Sequence, residues 1–124
     1  MRFLPTRIHG VIDYIWGVLL LASPWIFGFA DGGAAQWVAV VVGLGAIAYS
    51  AVTDYELGLV RLAPMRLHLL LDGLGGALLA ASPWILGFAD RVYGPHLAFG
   101  LFAVVASLIT QTEPARSLAT AASR

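Results

Sequence analysis

The chain has 124 residues, of which 60% are hydrophobic and only 11% are charged, whereas a water-soluble domain carries about 25% charged residues. This composition excludes an ordinary soluble globular protein. Seven basic residues balance seven acidic ones, so the chain lacks the basic excess that nucleic-acid binding requires. The absence of cysteine excludes disulfides, thiolate metal sites and cysteine nucleophiles.

An internal duplication is the clearest pattern in the sequence. Residues 2–31 align with residues 61–90 at a shift of 59 and share 17 identities in 30 positions. Such self-similarity is the signature of a repeat architecture. We predict two tandem repeats, residues 2–54 and 61–113, that together form a single membrane domain over residues 1–124.

The second half of each repeat matches less well. At the same shift Thr53 falls on Thr112 and Trp37 falls on His96, but most other positions share only apolar character. His96 therefore has no histidine counterpart in the first repeat. Because it follows Pro95 at the outer end of a predicted span, we expect an interfacial role for it.

Four stretches without charged residues predict the membrane spans, at about residues 8–30, 34–53, 67–89 and 92–112. A span needs roughly 20 mostly apolar residues, so each stretch is long enough to cross a bilayer. We predict an all-α fold: a four-helix transmembrane bundle of two tandem two-helix repeats. Both repeats enter the membrane in the same direction, so we expect a pseudo-two-fold axis along the membrane normal.

The orientation follows from the arginines, because short loops rich in basic residues stay in the cytoplasm. Only Arg91 falls on the side of the membrane opposite the other six arginines of the chain. We therefore predict a multi-pass protein with both termini in the cytoplasm.

Two copies of Ala-Ser-Pro-Trp-Ile, each followed by Gly-Phe-Ala-Asp and preceded by a His-x-x-x-Asp pair, carry a family resemblance. The chain resembles the SPW repeat family of prokaryotic integral membrane proteins over about residues 2–113. The resemblance implies a small protein of the bacterial inner membrane with two helices per repeat. It implies no activity, since the family has none established.

The Ser-Pro-Trp motif has a structural explanation in the backbone. Proline cannot donate to the carbonyl four residues earlier, so we expect the first helix to kink or end at Pro24. Ser23 followed by Pro24 suits the start of a new helical turn, and Trp25 is expected to anchor at the outer headgroup level. The same expectations hold for the second copy of the motif, Ser82, Pro83 and Trp84.

The His-x-x-x-Asp pairs are the candidate polar or ligand site. A spacing of four places His9 over Asp13, and His68 over Asp72, on one face of a helix. The interpretation we favour is that each Asp accepts a hydrogen bond from its own His. The alternatives are a proton or ion path, or a metal or haem held between His9 and His68 if the two pairs converge.

The functional hypothesis is a small structural, assembly or interaction module of the inner membrane without catalytic activity. No nucleotide loop, metalloprotease helix, serine elbow or soluble domain is visible in the sequence. The competing hypothesis is binding or transport of a proton, ion or metal through the paired site. We expect no resident cofactor, membrane lipids as partners, a possible homo-oligomer or other membrane protein, and no nucleic acid.

Overall fold

The structure is a computed structural model that describes the backbone of residues 1–124 and all side chains except those of Ser117 and Leu118. The fold is all-α, as predicted, with four long helices and a short one at the C-terminus. They are α1 (Thr6–Ile26), α2 (Ala34–Ala51), α3 (Met65–Ile85), α4 (Gly94–Ile109) and α5 (Ala115–Ala122).

Two helical hairpins, α1 with α2 and α3 with α4, build the bundle. Each hairpin closes where two glycines face each other. A Cβ built on Gly43 would lie 2.9 Å from the carbonyl oxygen of Gly17, and one built on Gly76 would lie 2.7 Å from that of Gly100. Small residues at such points let helix backbones approach closely in a membrane. Contact between the two hairpins is less extensive than contact between the two helices of each hairpin.

The packing corrects the alignment of the second half of the repeats. Gly43 in α2 and Gly100 in α4 make matching contacts, and these residues are 57 positions apart rather than 59. Thr53 and Thr110, also 57 apart, likewise make matching contacts with the two site histidines. The sequence comparison missed this shift because apolar residues fill both helices and align almost equally well at either spacing.

The ends of α1 and α3 correct the expectation that the helix ends at the proline and that a new turn starts at the serine. α1 continues through Pro24 to Ile26 and no new helical turn starts at Ser23. Instead, the Ser23 hydroxyl donates to the Leu20 carbonyl at 2.6 Å, which is the carbonyl that Pro24 leaves without an N–H partner. The same arrangement recurs in α3, where Ser82 donates to Leu79 at 2.7 Å.

Glycine then stops each helix. Gly28 has a φ of 76°, and the N–H of the next residue, Phe29, returns to the Pro24 carbonyl at 2.8 Å. This is a Schellman ending, in which a left-handed residue closes the helix. Gly87 has a φ of 75° and ends α3 in the same way. α1 therefore ends four residues before the predicted span limit of residue 30.

We expect the serine to matter only because the proline is there. Ser23→Ala should lower the free energy of unfolding by about 1–2 kcal/mol, since it leaves a buried carbonyl unsatisfied. In a Pro24→Ala background, where the restored N–H can reach Leu20, the same serine substitution should cost much less. Unfolding of the four variants in mixed micelles checks this, and equal costs in both backgrounds would contradict the explanation.

The distribution of side chains is that of a membrane protein. Large apolar residues on the helix surfaces are exposed, among them Trp25 and Trp84, while all three histidines and several aspartate, serine and threonine side chains, such as Asp13, Asp72 and Ser23, lie inside. α1 and α2 are long and apolar enough to cross a membrane, and α4 is apolar but shorter. α3 is as long as α1 but is not among the helices that meet this criterion of length and hydropathy. Exposed apolar surface on this scale needs lipid or a partner to cover it.

Candidate functional site

Four charged or ionisable side chains converge near the first turns of α1 and α3. His9 and Asp13 come from α1, and His68 and Asp72 come from α3. All four are buried, with at most 8% of each residue exposed. Their potential ligand atoms all lie within 4.8 Å of one another. The two candidate pairs identified in the sequence are therefore one site.

Pairing within the site crosses the boundary between the repeats. His9 Nε2 lies 2.9 Å from Asp13 on its own helix and 2.8 Å from Asp72 on the other. His68 Nε2 lies 2.9 Å from Asp13 and 3.3 Å from Asp72. The favoured interpretation, in which each Asp serves its own His, was therefore incomplete. It treated the repeats separately, whereas each carboxylate faces both imidazoles.

Two buried threonines orient the histidines. Thr110 Oγ1 lies 2.7 Å from His9 Nδ1, and Thr53 Oγ1 lies 2.7 Å from His68 Nδ1. Each hydroxyl donates its own hydrogen to a helix carbonyl at 2.6 Å, so it accepts from the ring. Both Nδ1 atoms therefore carry the hydrogen, and both Nε2 atoms point at the carboxylates.

Two tyrosines hydrogen-bond the carboxylates. Tyr49 of α2 donates to Asp72, and Tyr55, from the loop after α2, donates to Asp13 at 3.1 Å. Burial, together with the nearby charge of Asp13, raises the pKa of Tyr55 above its ordinary value. The phenol therefore stays protonated and remains a donor.

A cavity of about 20 Å³ adjoins the site, lined in part by His9, Asp13, Tyr49 and Asp72. This is space for about one water molecule and far too little for a haem. Toward the C-terminal ends of α1 and α3, the buried apolar side chains of Leu20, Leu79, Phe29 and Phe88 form a core cluster.

His96 is not interfacial, which corrects the expectation for it. The side chain is fully buried, its Nε2 donates to the Ala35 carbonyl at 2.9 Å, and its ring lies between Phe29 and Phe88. At the 57-residue spacing His96 corresponds to Ala39, which is also fully buried. The wrong spacing had matched it to the exposed Trp37.

Charged groups that follow α2 and α4 are also paired. Asp54 binds Arg116, and Glu113 lies 3.0 Å from Arg66. Glu56 instead accepts from the Thr6 hydroxyl at 2.7 Å. Partial burial would raise the pKa of Glu56, but this hydrogen bond and its backbone partners outweigh burial and lower it. Glu56 is therefore a carboxylate that fixes the start of α1.

Sequence reasoning missed Thr53, Thr110, Tyr49 and Tyr55 as members of the site. None of them lies in the strongly matching part of the repeats. Neither tyrosine has a tyrosine counterpart in the second repeat, and Tyr55 lies just beyond the predicted first repeat. A signal was available for the threonines, which are identical at a spacing of 57 residues, but not at the spacing used for the alignment.

The fold and site define a small helical membrane protein with a buried His/Asp centre shared by two hairpins. The SPW repeat domain matches residues 7–110, which is most of the chain, and the chain therefore belongs to the SPW repeat family. No curated protein and no solved structure shows significant similarity to it.

Proposed function

We propose that the chain is a small, non-enzymatic module of the bacterial inner membrane whose two hairpins are locked together by the His/Asp centre. The observation that carries this proposal is the crossed pairing of His9 with Asp72 and of His68 with Asp13. Each histidine is also bonded by a threonine of the other repeat. The polar bonds thus lie where contact between the hairpins is least extensive.

Transport is the weaker hypothesis. The water-sized cavity beside the centre is the one observation in its favour. A path across the membrane needs a connected series of polar groups at other depths. The buried cluster of Leu20, Leu79, Phe29 and Phe88 is apolar, and His96, which packs against the two phenylalanines, already donates to the Ala35 carbonyl. We therefore assign the centre to assembly and binding rather than to passage. In this proposal the exposed apolar surfaces of the helices contact membrane lipids. Part of the same surface would bind a second copy of the chain or another membrane protein.

Cutting the linker tests the proposed lock. Leu59 and Leu62 are strongly exposed, so a specific protease site inserted between Val60 and Arg61 should be accessible. After cleavage in detergent, we expect the two halves to remain one complex by native mass spectrometry. In an Asp13→Asn/Asp72→Asn background, they should separate more readily. Separation of the wild-type halves under the same conditions would contradict the proposal.

The proposed topology places both termini and the linker in the cytoplasm. Because the chain has no cysteine, single cysteines report accessibility without background. We expect Ala30→Cys in the outer turn to react with a membrane-impermeant maleimide in intact cells, and Leu59→Cys to react only after permeabilisation. The reverse labelling pattern would show the opposite orientation. Labelling of both cysteines in intact cells would contradict the proposed topology.

A further inference from the structure

The donor atoms of the centre are those of a metal site. We propose that His9, Asp13, His68 and Asp72 bind one divalent transition-metal ion, with Zn²⁺ the best match, through the two Nε2 atoms and one oxygen of each carboxylate. This proposal deepens the proposed function, because the ion would sit in the lock between the hairpins. The four ligand atoms already lie within 4.8 Å of one another.

The orientation of the imidazoles supports metal binding. Since the threonines hold the hydrogen on both Nδ1 atoms, it is Nε2 that faces the carboxylates, as in a metal-bound histidine whose other nitrogen is hydrogen-bonded. His68 Nε2 is buried and close to two carboxylate oxygens, yet it makes no hydrogen bond of acceptable direction. A buried nitrogen aimed among oxygens without a hydrogen bond is suited to a cation between them.

The charge of the four side chains also favours a bound dication. Two neutral imidazoles would turn lone pairs toward two carboxylates, which is unfavourable in a buried site. Two additional protons, or one dication, would make the four-residue set neutral. A dication satisfies all four side chains at once, whereas protons leave His68 Nε2 without a well-directed acceptor.

The ligand atoms are close to the spacing of a zinc site. Zinc bonds to nitrogen and oxygen are about 2.0–2.2 Å, which puts neighbouring tetrahedral ligands about 3.3–3.5 Å apart. Asp72 Oδ2 lies 2.8 Å from His9 Nε2 and 3.3 Å from His68 Nε2. Asp13 presents Oδ1 to His9 and Oδ2 to His68, each at 2.9 Å, so either of its oxygens can be the ligand. The short nitrogen-to-oxygen separations therefore have to lengthen by a few tenths of an ångström, and the ligand atoms that lie farthest apart, within 4.8 Å, have to move closer together. The adjoining cavity leaves room for this adjustment or for a bound water.

The ligand types select the metal. Two imidazoles disfavour Ca²⁺ and Mg²⁺, which prefer oxygen ligands throughout. Two imidazoles with two carboxylates suit Zn²⁺ and other first-row dications. Tyr49 and Tyr55 hydrogen-bond the carboxylates and supply the outer contacts that orient ligands in such sites.

Metal analysis of the purified full chain tests the proposal. After removal of metal with a chelator, addition of Zn²⁺ and desalting, we expect one zinc per chain. Asp13→Asn/Asp72→Asn should retain less than a tenth of this, while the matched control His96→Gln, which changes the histidine outside the centre, should retain all of it. No retained zinc in the wild type, or equal retention in the Asn variant, would overturn the proposal.

X-ray absorption of the zinc-loaded wild type keeps the test decisive if a variant fails to fold. We expect only nitrogen and oxygen neighbours at about 2.0–2.1 Å, with the outer-shell scattering of two imidazoles. Scattering from fewer than two imidazoles would overturn the metal site. The linker-cutting experiment on metal-free protein tests the lock itself, so the failure of one proposal is distinguishable from the failure of the other.

Discussion

Asp72→Asn should be among the most damaging single substitutions in the chain. It removes one of two buried carboxylates, so Asp13 is the one carboxylate left to pair with both imidazoles. Removing one partner of a buried ion pair costs about 3–5 kcal/mol, because the remaining charge is no longer compensated. We expect a loss of this size in the free energy of unfolding of metal-free protein, measured by SDS titration in mixed micelles.

Two controls separate this effect from a general effect of the substitution. Asp31→Asn changes an exposed residue that pairs with Arg91 at the surface, and it should change stability little because exposed pairs contribute little. Asp13→Asn/Asp72→Asn should cost less than twice the single change, since two amides can hydrogen-bond two neutral imidazoles. A loss for Asp72→Asn no larger than that for Asp31→Asn would show that the centre does not hold the bundle.

Gly100→Ala should cost about 3 kcal/mol, at the upper end of the range for overpacking. A Cβ at Gly100 would lie 2.5 Å from the backbone nitrogen of Ala80 and would also meet the backbone of Gly76. Backbone atoms cannot rotate away as a flexible side chain can, so the two helices must separate. Separation of α3 from α4 would shift Thr110 as well, and with it the bond that orients His9.

The matched control lies on the neighbouring helix. A Cβ at Gly75 meets nothing within 4 Å, and alanine is the better helix former by about 0.5–1 kcal/mol. Gly75→Ala should therefore leave stability unchanged or raise it slightly. The pair is best compared by thermal unfolding in one detergent, and similar behaviour of the two variants would contradict close helix contact at Gly100.

The His/Asp centre gives a physical reason why the two hairpins pack in one arrangement rather than in several. Apolar packing alone gives α1 many acceptable neighbours among the other helices, because most of the large apolar side chains on the helix surfaces are aliphatic. A buried charge, in contrast, is tolerated only where its partners are placed. His9 finds them in Asp72 and Thr110, both from the second repeat, and this favours one arrangement of the hairpins.

Much of the fold was predictable from the sequence because it depends on local and compositional signals. The apolar composition, the duplicated motif and the spacing of His9 and Asp13 predicted an all-helical membrane protein with one polar group per repeat. Helix ends were less accurate. A proline indicates where a helix cannot make a normal backbone hydrogen bond. The Ser23 hydroxyl replaces that bond, so α1 continues past Pro24 and ends at the left-handed Gly28 instead.

The all-α class and the choice of His9, Asp13, His68 and Asp72 as candidate site residues followed from the sequence, because spacing along one helix is a local property. The tertiary structure decided what those residues do. The contact of Asp72 with His9, the threonine that orients each ring, and the burial of His96 join residues from different helices. These contacts depend on how two hairpins pack and on a two-residue shift that the apolar sequence around Thr53 and Thr110 does not reveal.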